Sequence, residues 1–278
     1  ERATARMRRL FTRLFLDGEA DRMPALKALA LYESFRELTP AGDRGDEMIG
    51  RLADRLVGVD LLDRAASLLD AQVRRRLSGT DKADVGTRLA AIRLLDRQPD
   101  AALEALEVSN VQDMPEALEA RRRLLRARAL AGTGQPDAAL GLIAGLDTEP
   151  ALELAADIHS EQGDWSKAVT VLERLLPEPD GDGRLDPTGA ARVMRTAVAM
   201  TLAGQSDRLR ALSATYAPAM AASDHAETFD LLDPSTGGGP VTVAKQLAEV
   251  QTAKSFMDTF RARLEDESER GGGSPAAQ

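Results

Sequence analysis

Apolar residues recur at i, i+3 and i+4 along most of the chain, and short polar stretches interrupt them. Arg2–Leu16, Pro24–Leu38, Asp46–Val57 and Leu61–Arg76 each carry this spacing, which predicts an amphipathic helix with one face turned inward. The same pattern predicts helices over Lys82–Leu95, Pro99–Glu107, Pro115–Leu130, Pro136–Leu146, Ala151–Glu161, Trp165–Leu176, Thr188–Leu202 and Ser206–Tyr216. Pro24, Pro99, Pro115 and Pro136 stand where a first helical turn should begin, a place that tolerates a missing N–H and a fixed φ. No long stretch reads as strand, so the fold class is all-α.

The helices form a series of units. Gln98-Pro99-Asp100-Ala101-Ala102-Leu103 recurs 37 residues later as Gln135-Pro136-Asp137-Ala138-Ala139-Leu140, about the length of one helix–turn–helix unit. In the same register, Ala53, Ala90, Ala127, Ala156 and Ala197 stand twelve residues before Ala65, Ala102, Ala139, Ala168 and Leu209. A small residue midway along a first helix and another early in a second lets two antiparallel helices approach closely. Four residues further on stand Leu69, Leu106, Ile143, Leu172 and Ser213, on the same helical face; only the last departs from the apolar rule.

The segment Leu154-Ala155-Ala156-Asp157-Ile158-His159-Ser160-Glu161-Gln162-Gly163-Asp164-Trp165-Ser166-Lys167-Ala168 resembles the tetratricopeptide-repeat family. Ala156, Gly163, Trp165 and Ala168 fill that family's small residue, turn glycine, aromatic and alanine positions, and Gly134 with Ala139 repeats part of the set. The resemblance covers roughly residues 47–218. The units step by 37, 37, 29 and 41 residues, where the family steps by about 34, and most lack the aromatics, so the repeats are degenerate. The resemblance implies a right-handed α-solenoid of helical hairpins, about five units long, with extra terminal helices.

On that reading residues 1–42 form N-terminal capping helices and 43–218 the solenoid. Residues 219–240 are a linker containing Asp233-Pro234-Ser235-Thr236-Gly237-Gly238-Gly239-Pro240. A C-terminal helix over 241–265 places Phe256 and Phe260 on one face, and 266–278 is a disordered tail rich in charge, Gly and Pro.

Composition narrows the function. Hydrophobic residues make up 43% of the 278 but aromatics only 3%, so Ala, Leu and Val carry the core. A net charge of −9 argues against nucleic acid as the main partner. Cysteine is absent, which removes disulfides, thiolate metal sites and cysteine nucleophiles and fits either bacterial cytoplasm or periplasm. Arginine far outnumbers the five lysines, as in a GC-rich bacterial genome. The chain starts at Glu1 and reads as a processed or excised piece, and no run is apolar enough to span a membrane.

Little chemistry suggests catalysis or a cofactor. His159 falls on a repeat helix where an aromatic is common, and Ser223-Asp224-His225 has triad residue types without a strand–turn–helix setting. No phosphate-binding loop is present. The stretch 178–189 resembles an EF-hand loop, with Glu178, Asp180, Asp182 and Asp186 as candidate calcium ligands; Gly189 replaces the closing glutamate, so a solvated turn is the competing reading. Helical spacing sends Arg121 and Arg128 toward one side of the third unit, where, with Glu153 and Asp157 of the next, they could line a groove for an acidic or mixed-charge peptide.

The sequence therefore predicts a non-enzymatic protein–protein interaction scaffold or adaptor without cofactor, in which self-association is open. The alternatives are a structural subunit of a larger bacterial envelope or motility assembly, and a docking module of a protein whose active domain lies upstream.

Overall fold

A computed structural model describes residues 2–232 and 241–248. Among the described residues every regular element is helical. The molecule divides into two compact units, residues 1–139 and 140–278, described in turn.

The first unit contains α1 (Arg2–Leu16), α2 (Ala25–Ser34), α3 (Asp43–Gly58), α4 (Leu62–Arg75), α5 (Gly79–Leu95), α6 (Pro99–Val108), α7 (Glu116–Gly132) and the start of α8 (Pro136–Ile143). From α3 to α7 each helix packs on the next, α4 also meets α6, and α5 also meets α7. Two arginines of α3 fasten the N-terminal segment. Arg51 donates to the carbonyl of Leu16 at 2.8 Å, a cation closing the C-terminus of α1, and Arg55 donates to Ala20 at 2.7 Å. The rings of Phe11 and Phe15 on α1 meet at a tilt with centroids 4.9 Å apart, and Tyr32 of α2 meets Phe15 edge-on at 6.3 Å.

The second unit contains the rest of α8, then α9 (Glu149–Glu161), α10 (Trp165–Leu172), α11 (Pro187–Leu202), α12 (Ser206–Met220) and α13 (Ala226–Asp230). Again α9, α10, α11 and α12 pack in chain order. Leu172, Val193, Met194, Ala197, Met200 and Leu209 lie at the centre of its core. Tyr216 closes one side, its hydroxyl donating to the carbonyl of Pro177 at 2.8 Å.

Residues 219–232, part of the stretch expected to be a linker, have structure of their own. α12 continues through Pro218 to Met220, and α13 follows a turn. Phe229 and Leu232 are buried in the core of the second unit, and Ala244 from the helical residues 241–248 joins them. The physical reason is apolar area: two large side chains and a fully covered alanine reward ordering a short segment that propensity alone would leave open. Phe256, Phe260, the rest of the expected C-terminal helix and the expected tail lie outside the described residues.

One local structure recurs five times. The helix pairs α3/α4, α5/α6, α7/α8, α9/α10 and α11/α12 are each joined by three residues. The middle residue, respectively Asp60, Arg97, Gly134, Gly163 and Gly204, has a left-handed φ between 55° and 76°. In each turn the following residue donates its N–H back to the first helix: Leu61 to Leu56, Gln98 to Arg93, Gln135 to Leu130, Asp164 to His159 and Gln205 to Met200, at 2.8–2.9 Å. The left-handed residue donates to the carbonyl three before it at 2.9–3.1 Å. These are the two bonds of a Schellman cap, which satisfies carbonyls a helix end leaves without partners. The next helix starts from the same residues, because Leu61, Gln98, Gln135, Asp164 and Gln205 accept from Ala65, Ala102, Ala139, Ala168 and Leu209.

The alanines spaced by twelve flank this turn. Ala53, Ala65, Ala90, Ala102, Ala127, Ala139, Ala156, Ala168 and Ala197 are all 0% exposed, and Leu209 is 2%. In the first four pairs both facing positions present no more than a Cβ, which lets the two helices pack closely. Leu69, Leu106, Ile143 and Leu172, one turn on, are buried too. In the fifth pair Ser213 is only half-buried and Leu212 and Tyr216 fill the space instead.

Candidate functional site

Ion pairs join the first helices of neighbouring pairs at two places. In the first unit, Arg88 of α5 pairs with Asp54 of α3. In the second, Arg195 of α11 pairs with Asp157 of α9 at 2.5 Å, and Arg192 of α11 reaches Glu153 at 2.8 Å and also Glu149. Arg88 and Arg195 both stand two residues before the register alanine of their helix, and Asp54 and Asp157 both stand one after it. Arg51 holds the same place on α3 and uses it to cap α1. The Arg195 and Asp157 side chains are only 18% and 15% exposed, so their charges are largely withdrawn from water and fixed in direction. Burial pulls the Arg192 pKa down, but its hydrogen bonds to Glu153 and Glu149 and their charges outweigh that and leave it raised.

Glu153 and Asp157, expected beside a peptide groove, thus have partners inside their own unit. Arg121 and Arg128 lie half-buried on α7. Between them, Arg122 is 6% exposed. Its guanidinium donates to the Ala83 carbonyl at 2.9 Å, the Thr87 hydroxyl at 3.0 Å and the Ser109 hydroxyl at 3.1 Å, and to the Leu106 carbonyl at 2.6 Å. It ties α5, α7 and the end of α6 together. Burial holds its pKa below the usual arginine value, with Arg126 adding to the effect and Glu107 opposing it.

Gly86 makes that site possible. A Cβ there would stand 2.0 Å from the hydroxyl oxygen of Ser109. Arg122, flanked by Arg121 and Arg123, lies on the stripe Leu118, Arg122, Leu125, Ala129, every member of which is buried. That i, i+4, i+7 spacing was the available signal.

Beside the Arg195–Asp157 pair, a recess in the second unit is lined by Ser160, Trp165, Val198 and Ala199. His159, next to Ser160 on α9, has a buried Nδ1 with no hydrogen-bond partner. Burial pushes its pKa down, helped by Lys167 and opposed by Asp164.

Two of the four calcium candidates bond to the backbone of their own loop. Asp180 accepts from the backbone N–H groups of Asp182 and Arg184 at 3.0 and 2.8 Å, and Asp186 caps α11 by accepting from Gly189 at 2.7 Å. Among the described residues no three acidic or histidine side chains gather as a metal-binding group. Ser223 donates to the Met220 carbonyl at 2.7 Å and accepts from the backbone of His225 at 3.2 Å, bonds that shape the turn after α12.

These observations define an all-helical protein built from repeated helix pairs, with arginine–carboxylate pairs joining α3 to α5 and α9 to α11. Compared with protein-family models, curated proteins and solved structures, the chain matches none of them. No helix of the described residues is long and apolar enough to cross a membrane.

Proposed function

We propose that the chain is a tetratricopeptide-like α-solenoid that works as a protein–protein interaction scaffold or adaptor, binding a protein segment along the first helices of its pairs and acting by recognition, with no reaction of its own. The observation that carries this reading is the fivefold recurrence of one turn in one twelve-residue register, with alanine at both register positions in four of the five pairs and Ala197 with Leu209 in the fifth. Helix pairs that repeat the same side-chain positions are the usual basis of binding in repeat proteins. The ordered charges add direction: arginines held between carboxylates set a pattern a mixed-charge peptide could complement.

Affinity capture of the whole chain from its host, with Arg121→Glu/Arg128→Glu in parallel, tests this. The scaffold reading expects a small set of co-purifying proteins and loss of at least one from the double variant at unchanged melting temperature. Recovery of every protein by the variant as by the wild type would sink the groove on α7. A chain that captures none and sediments as self-assembled polymers would sink the adaptor role altogether.

A further inference from the structure

We propose that the first turns of α1 dock the protein on an anionic lipid bilayer surface. This goes beyond the scaffold reading and does not depend on it. α1 carries Arg2, Arg6, Arg8, Arg9 and Arg13 without one carboxylate, in a chain whose net charge is −9. Arg13 pairs with Asp17 at 3.3 Å; Arg6, Arg8 and Arg9 make no ion pair among the described residues.

Among the described residues the helix packs through its C-terminal half. Phe11, Thr12 and Phe15 are buried, whereas residues 5–10 are all exposed, so more than a full turn is uncovered around its whole circumference. Met7 and Leu10, at i and i+3, are 49% and 56% exposed and form an apolar stripe between the arginines.

That combination fits a bilayer interface. Unbranched and γ-branched side chains enter the headgroup boundary, while arginine stems lie along the apolar surface and place their guanidinium groups at lipid phosphates. A nucleic acid or a purely acidic polymer would use the arginines and leave Met7 and Leu10 in water. The apolar stripe therefore favours the lipid surface over such polyanions.

The test is co-sedimentation of the whole chain with phosphatidylcholine vesicles, with and without about one third phosphatidylglycerol. Soluble polyglutamate and duplex DNA serve as competing polyanions. The expected result is binding to the anionic vesicles alone, weakening as salt screens the charges. Arg6→Glu/Arg9→Glu should lower it by about tenfold or more, and Met7→Gln/Leu10→Gln by about threefold or more. These positions are exposed, so both variants should keep the wild-type melting temperature.

Absence of binding to anionic vesicles overturns the proposal. So does equal binding to both vesicle types, or retention by both double variants. Displacement by polyglutamate or DNA with no loss in Met7→Gln/Leu10→Gln would mark the helix as a site for another polyanion and overturn it as well.

Discussion

Exchanging residues at the recurrent turn isolates a backbone contribution to stability that side-chain contacts do not obscure. Arg97 sits in the left-handed region at φ 55° and is exposed, while Gly134, Gly163 and Gly204 occupy the same place in three other pairs. A Cβ at any of the three glycines would meet nothing within 4 Å. Any cost of Gly163→Ala is therefore conformational and not steric. A non-glycine residue in this region costs about 1–2 kcal/mol, and loss of glycine's extra freedom in the unfolded chain returns about 0.4–1 kcal/mol. The net expectation is a loss of about 1 kcal/mol for Gly163→Ala and a gain of similar size for Arg97→Gly.

The assay is equilibrium unfolding in guanidinium chloride followed by circular dichroism, comparing midpoints at a common slope. Asp60→Gly should gain less, because Asp tolerates the left-handed region better than Arg. The reasoning fails if Arg97→Gly lowers the midpoint or if Gly163→Ala leaves it unchanged.

Removing the buried guanidinium with Arg122→Met should lose about 1–3 kcal/mol, chiefly because the Leu106 carbonyl at the end of α6 is left without a donor; a wild-type denaturation midpoint would refute this. Gly86→Ala drives a methyl into Ser109 and should cost about 1–3 kcal/mol as an overpacked core, while Gly141→Ala, open on all sides, should not destabilise the fold. His159 has a pKa depressed in the folded chain, so below its ordinary value of about 6.5 the unfolded chain takes up the proton more readily and stability falls as the pH drops. His159→Phe should make the decline in melting temperature between about pH 7 and 5 shallower, and parallel curves for the two proteins would remove His159 from the account.

Most of the helices were legible because burial of one face leaves a period that composition cannot disguise. The helix expected over Arg2–Leu16 has those bounds in the structure, and Pro99 and Pro136 are the first residues of α6 and α8. The alanine register was legible for a related reason: only the smallest side chain fits a close helix crossing.

Other features left weaker traces. Asp60 and Arg97 do not announce a left-handed turn as glycine does; hydrogen bonds from both neighbouring helices hold them there. Arg122 was hidden by Arg121 and Arg123 on either side, and only helical phase separates the buried one from the others. Phe229 and Leu232 lie in a segment too short to show a period, so their burial depends on the core they meet. The partners of Glu153 and Asp157 were not visible because Arg192 and Arg195 come almost forty residues later, and which helix lies against α9 is a property of packing.

The constancy of the three-residue turn has an evolutionary consequence. All the variation in step length falls elsewhere, in helix length and in the connections from a second helix to the next first helix, which run from residues 76–78 to the far longer 176–186. A hairpin with its cap and its alanines can thus be duplicated, lost or re-spaced as one piece of gene without redesign of its interior. Insertions that change the surface collect in the connections, where the chain can lengthen while the hydrogen bonds of the cap stay as they are.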